Sequence, residues 1–193
     1  MTQTWRDLWF MLVLTTICTI LLVVVEGIYQ TRMATDPSLM RRALQLVGLP
    51  LGEDVRSTFE QTFTTVARKE YPGSFFIGKQ NPAMIIRQEE GAGLWGKIIL
   101  LVAYDLRRGA ILGIDVLEHS ETPGLGARIE EEKFRAQFRG LIARHGVRAA
   151  KIKFKEGEFD GVTGATLTSK AVEEIINAAI RKIKTVAGPG GTP

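Results

Sequence analysis

The residues from Leu8 to Val25, LWFMLVLTTICTILLVVV, carry no charge, and no other stretch restricts the folding of this chain so strongly. At about 1.5 Å per residue, a helix over this run comes close to the roughly 30 Å hydrocarbon thickness of a bilayer. The sequence therefore predicts a membrane-spanning helix. Trp5 and Trp9 at one end and Tyr29 at the other suit the interfacial aromatic belts. A cleavable signal peptide is the competing reading, because the run lies close to the N-terminus. Against cleavage, the run is longer than a signal's apolar region, and Val-Val-Val-Glu-Gly follows where a small-x-small site belongs, so retention is favoured. Bulky Ile17 before Cys18 argues against a lipoprotein anchor. Arg6 precedes the run and Arg32, Arg41 and Arg42 follow it, so charge bias alone leaves the orientation open.

The rest of the chain has the composition of a globular protein. Of 193 residues, 45% are apolar and 24% charged, which suits one domain with an appendage. The net charge of +4 is spread out, with no stripe of alternating basic and aromatic residues, so no nucleic-acid partner is expected. Contact with an anionic bilayer surface fits equally well. A single cysteine excludes an internal disulfide.

After the apolar run, Leu39, Met40, Ala43, Leu44 and Val47 recur at helical spacing up to Gly48 and Pro50. Residues 55–69 fit either a helix or two short strands. YPGSFFIGK, AMIIRQ, GKIILLVAYD and GAILGIDVLEH read as strands separated by turn residues. Residues 130–143 place Phe134, Phe138, Leu141 and Ile142 on one helical face, with acids leading and arginines following, and predict a helix. AAKIKFKEGEFD alternates as a strand. The final helix, starting near Thr168, buries Val172, Ile175, Ile176, Ala179, Ile180 and Ile183. The fold class expected is α+β: a single N-terminal transmembrane helix followed by one sheet-and-helix domain. The expected division is residues 1–30 as anchor, 31–73 as juxtamembrane and linker region, 74–187 as the ligand-binding domain and 188–193 as a frayed tail.

Three stretches stand out as candidates for chemistry. EGAGLWGK places Gly91, Gly93 and Gly96 in the pattern G-x-G-x-x-G, but a strand follows where a dinucleotide-binding unit needs a helix. A glycine-rich loop entering a strand remains, with Leu94 and Trp95 available as an apolar wall. HSETPGLG, residues 119–126, contains a Pro-Gly turn that sets Leu125 between two glycines, with Glu121 and Thr122 beside it. Two readings fit: a tight turn alone, or a seat for a planar ligand. DGVTGATLTS, residues 160–169, crowds hydroxyls and small residues at the mouth of the final helix. Its unpaired amides favour an anion such as phosphate, which Gly164 and Ala165 let approach, while Thr168 or Ser169 could instead be an ordinary cap. His119 and His145 lie far apart without metal-ligand spacing, so no metal site is expected. No nucleophile motif appears, and no catalytic residue is assigned.

Asp160-Gly161-Val162-Thr163-Gly164-Ala165-Thr166 resembles the flavinylation signature of the FMN-binding domain family, found in the G subunit of Rnf complexes and the C subunit of sodium-translocating NADH:quinone reductases. HSETPGLG and GAGLWG resemble the family's second and third motifs, in the family's order behind one N-terminal span. The resemblance implies FMN bound covalently through a phosphoester to Thr166, and a separate flavin transferase that attaches it after recognising Asp160, Gly161, Thr163, Gly164 and Ala165. Leu167 and Thr168 would adjoin the attachment point. Glu121, Thr122, Gly124, Leu125, Gly126 and Trp95 would surround the isoalloxazine.

The function implied is that of a membrane-anchored electron-carrier subunit of an Rnf-type ion-translocating ferredoxin:NAD oxidoreductase. Such a subunit acts within a translocase rather than alone. Its partners would be the other subunits, the flavin transferase and the lipid bilayer. The compact length favours the Rnf subunit over the quinone-reductase subunit, which stays as the alternative. A non-redox, membrane-tethered binding or assembly module is a second. The expected location is a bacterial or archaeal inner membrane, crossed once, with the flavin domain on the extracytoplasmic side.

Overall fold

The computed structural model describes residues 3–34, 36–68, 70–151 and 155–188. It divides into two compact units, residues 1–39 and 40–193. In the first, helix α1 (Gln3–Ala34) contains Trp5–Val25, a segment long and apolar enough to cross a membrane. The hydroxyls of Thr15, Thr16 and Thr19 donate to the carbonyls of Met11, Leu12 and Thr15, one turn back, at 2.7–2.9 Å. Their polarity is thereby satisfied inside the helix, as a hydrocarbon environment requires.

The second unit is built on one antiparallel sheet. Six strands follow one another as neighbours: β1 (Phe63–Arg68), β2 (Tyr71–Gly78), β3 (Met84–Ala92), β4 (Lys97–Asp105), β5 (Ala110–Glu118) and β6 (Leu141–Ile142). Sequential hairpins explain this order, since antiparallel neighbours need only short turns. In β4 every residue from Ile98 to Asp105 is buried, because helices cover both faces of the sheet at its centre. On one face lies α5 (Thr166–Ala187), whose Val172, Ile175, Ile176, Ala179, Ile180 and Ile183 join Ile98, Leu100, Val102 and Tyr104 in the main core. On the other, α2 (Pro37–Leu46) brings Leu46 against Gly113, and α3 (Val55–Thr62) sets Phe59 edge-on to Phe76 at 5.0 Å. α2 is also tied to the sheet by charge. Asp115, buried on β5, accepts from Arg42 Nε at 2.5 Å and from Arg135 Nη1 at 2.6 Å.

The mixed helix-and-sheet class and the four central strands agree with the sequence reading. Over residues 55–68 the ambiguous segment is helix and then strand, its start marked by Asp54, whose carboxylate accepts from the amides of Arg56 and Ser57. The helix expected over 130–143 is not continuous. A 3₁₀ turn (Gly126–Glu130), the short helix α4 (Glu132–Arg135) and a second 3₁₀ turn (Ala136–Phe138) carry the chain to Gly140, where φ is +75°. There the chain reverses, and Leu141–Ile142 pair with Ala110–Ile111 as the sheet's last strand. Helical spacing survives only as far as it is used: Phe134 and Phe138 pack with Phe159 in a cluster of three rings, 4.8–5.9 Å apart. The single strand expected over 149–160 also differs. Its described ends are β7 (Arg148–Ala150) and β8 (Glu158–Asp160), which pair with each other in parallel. Residues 152–154 of that stretch, like the tail residues 189–193, lie outside the described residues.

Candidate functional site

The three stretches singled out in the sequence meet at one buried carboxylate. The first, residues 91–96, is the hairpin tip between β3 and β4: Ala92 pairs with Lys97, and the Gly93 amide donates to the Gly96 carbonyl at 2.7 Å. No helix follows, which disposes of the dinucleotide pattern. Leu94 and Trp95 form the tip, and their amides donate to Glu121 Oε1 at 2.8 and 3.3 Å. A Cβ on Gly93 would stand 2.4 Å from that oxygen, so the approach of Glu121 requires glycine there.

The second stretch turns at Pro123-Gly124, with the Leu125 and Ala127 amides donating to the Thr122 carbonyl at 3.1 Å. Its Glu121 is 5% exposed and sits under the turn, while Leu125 stands out at 47%. His119 supports it from behind, since Nδ1 accepts the Glu121 amide at 3.0 Å and Nε2 faces Glu130 Oε1 at 3.0 Å.

The third stretch enters α5. Thr168, 1% exposed, donates its hydroxyl to Glu121 Oε2 at 2.5 Å. Ser169, 2% exposed, accepts the Val162 amide at 2.8 Å and donates to the Ala165 carbonyl at 2.9 Å. Both hydroxyls suggested as caps are therefore engaged elsewhere, and the N-cap position, Ala165, has no side chain that can cap. The first-turn amides are left uncapped, and exposed Thr166 is the first residue of the helix. Gly164, at φ +83°, turns the chain into it, with the Leu125 side chain within 3.2 Å of where a Cβ would lie. Replacing Ser169 by alanine leaves the buried Val162 amide without its acceptor. We expect a loss of about 1–3 kcal/mol in urea denaturation of the full chain.

Asp160, Gly161 and Thr163 face differently. With Arg128, Glu131, Lys133 and Gln137 they line a cleft of 410 Å³ that Thr166 does not border. Gln137 fixes that end of the loop by accepting the Asp160 amide at 2.7 Å and donating to its carbonyl at 3.2 Å. The sequence reading passes over Gln137, which carries no motif, offers Ser169 only as a cap, and sets Glu121 beside a ligand, whereas the structure buries it beneath the turn.

Four large apolar side chains outside α1 are exposed among the described residues: Trp95 at 69%, Leu167 at 61%, Leu94 at 48% and Leu125 at 47%. All four belong to the three stretches. A soluble surface that concentrates its exposed hydrophobics in this way marks a binding site. Uncapped helix amides next to a free hydroxyl suit a phosphate, and the apolar side chains suit a flat aromatic group. The donor set therefore fits FMN.

Residues 93–181 match the family described as FMN-binding domain. Among named relatives, the G subunit of the proton-translocating ferredoxin:NAD(+) oxidoreductase complex of Clostridium ljungdahlii is 36% identical over 51% of this chain and 52% of its own. The G subunit of the ion-translocating oxidoreductase complex of Pectobacterium atrosepticum is 37% identical over 60% and 57%. The C subunit of the Na(+)-translocating NADH-quinone reductase of Vibrio vulnificus is 31% identical over 63% and 51%. This chain thus spans about half the length of the curated relatives it matches. The solved C subunit of the Na(+)-translocating NADH-quinone reductase of Parabacteroides distasonis shares the fold, with TM-score 0.62 and 20% identity over 78% of this chain and 91% of that one. Residues 93–181, which hold the hairpin tip, the Pro-Gly turn and the start of α5, thus match the FMN-binding domain model and are similar in sequence to Rnf-type G subunits and quinone-reductase C subunits.

Proposed function

We propose that this chain is a membrane-anchored electron carrier bearing FMN on Thr166, and that it works as the G-type subunit of an Rnf-type ion-translocating ferredoxin:NAD oxidoreductase. The observation that carries the reading is the gathering of Trp95, Leu94, Leu125 and Leu167 around an uncapped helix start that presents Thr166. In attachment by a flavin transferase, the Thr166 Oγ–phosphorus bond forms and the pyrophosphate bond of FAD breaks. AMP leaves, and the hydroxyl proton passes to a base on the transferase. The uncapped amides of α5 then face the remaining phosphodiester charge, an interaction worth about 0.3–1 kcal/mol. Trp95, Thr122, Gly124, Leu125 and Gly126 enclose the ring system, with Leu167 and Thr168 next to the attachment point. FMN supplies one- and two-electron redox chemistry, and the protein around it sets the potential. Asp160, Gly161, Thr163, Gly164 and Ala165 serve recognition by the transferase. On this reading α1 is the anchor, residues 74–187 are the flavin body, and the domain faces the extracytoplasmic side of a bacterial or archaeal inner membrane.

A C-type subunit of a sodium-translocating quinone reductase is the second reading, favoured by the likeness of the fold to the solved C subunits. Co-expression of the full chain with a flavin transferase tests the shared claim. Trypsin releases residues 156–170, and this peptide should gain the mass of FMN less one water, on Thr166. An unmodified peptide from protein matured in this way rejects it. Co-purification with either set of membrane subunits separates the two complexes.

A further inference from the structure

We propose that Glu121 is a positioning residue for the flavin, acting as a buried clamp that holds the Leu94–Trp95 tip and the first turn of α5 to the Pro-Gly turn. The inference rests on the flavin reading above and assigns one of its residues a different role. Both carboxylate oxygens already serve the protein: Oε1 takes the Leu94 and Trp95 amides and Oε2 takes the Thr168 hydroxyl. At 5% exposure the residue has almost no surface to offer a ligand. Glycines at 93 and 126 clear its path, since a Cβ at either would stand 2.4 or 2.6 Å from one of its oxygens. One acidic group thus links three segments separated by 26 to 47 residues in sequence. Hydrogen bonds to a buried charge are the strong kind, so the clamp holds the exposed Trp95 and the turn presenting Thr166 in one arrangement.

The test compares the full chain, co-expressed with a flavin transferase, as wild type, Glu121→Ala, Glu121→Gln and Thr168→Val. Hydrogen exchange of the Leu94 and Trp95 amides reads the clamp itself. Flavin emission per bound flavin reads its effect on the cofactor, because an indole held against an isoalloxazine quenches it. In Glu121→Ala the two amides should exchange at least about ten-fold faster, and emission should rise several-fold. Glu121→Gln, which keeps an acceptor for both amides, should return both readouts close to wild type. If Glu121→Ala fails to fold, Thr168→Val carries the test. It cuts only the link to α5, so emission should rise while the Leu94 and Trp95 amides stay protected. Exchange equal to wild type in a folded Glu121→Ala overturns the clamp. Faster exchange with unchanged emission overturns its role toward the flavin, as does wild-type emission in Thr168→Val. A wild-type protein without flavin rejects the functional reading instead, and exchange in Glu121→Ala then decides by itself whether the clamp exists.

Discussion

Thr166→Ala, matured beside a flavin transferase, should give a folded protein whose band is dark under ultraviolet light on a denaturing gel, whereas the wild-type band should fluoresce. Four hydroxyls within seven residues are candidates for the proposed attachment, and they differ in exposure and partners. Those of Thr168 and Ser169 are buried and engaged with Glu121, Val162 and Ala165. Thr163 is exposed but lines the cleft beside Asp160 and Gly161. Thr166 alone of the four is exposed and also belongs to the first turn of α5, where uncapped amides favour a phosphate. The loss should be complete, since no other hydroxyl offers both features, and stability should change by no more than about 0.5 kcal/mol at this exposed position. Thr166→Ser, made in parallel, should restore the fluorescence. Covalent flavin on Thr166→Ala would move the attachment to another residue and undo the assignment.

The second large effect lies at the other end of α5. Glu89 on β3 is buried and receives Arg87 Nε at 3.0 Å on one oxygen and the Lys182 ammonium on the other. Arg87 is wholly buried, its guanidinium 4.3 Å from the centre of the Phe75 ring. Removing one partner of a buried charge cluster is far costlier than replacing the whole cluster, because the remaining charge has been taken out of water and loses its compensation. Glu89→Ala should therefore destabilise the domain by about 3–5 kcal/mol, measured as a lowered urea midpoint of the detergent-solubilised full chain. Flavin content per folded molecule should stay the same, since Lys182 lies more than four turns along α5 from Thr166. A midpoint within error of wild type would mean that the cluster is solvated or neutral in the folded protein.

The sequence carried several elements without ambiguity because the physics that makes them is local. The uncharged run of α1 needs no partner to be a helix. The apolar β4 run, KIILLVAYD, follows from its residue types and flanking turns and the stripe of α5 from periodicity, whereas residues 55–69 stay ambiguous in sequence and the cap by Asp54 belongs to the structure. The failures have a common cause. Leu141 and Ile142 complete a helical stripe on paper, yet they pair with Ala110 and Ile111, an edge that does not exist until β5 has formed. Gly140 was the local sign, and the helix was read through it. The alternating run after Ala149 met the same fate, because its described ends pair with each other.

At the site, residue types and spacing were enough to select the three stretches, to reject a dinucleotide pattern from the strand that follows it, and to name an anion and a flat ligand as suitable guests. What they offered for the hydroxyls of α5 was a tie between capping and binding. The tertiary structure broke that tie by drawing Thr168 onto Glu121 and Ser169 back to Val162, so that the helix start stays open. It also turned Glu121 inward. Composition and periodicity express what a residue prefers by itself, and these determined the anchor, the sheet and the final helix. Which hydroxyl is spent and which is left free depends on a carboxylate 47 residues away, and only the closed fold brings the two together.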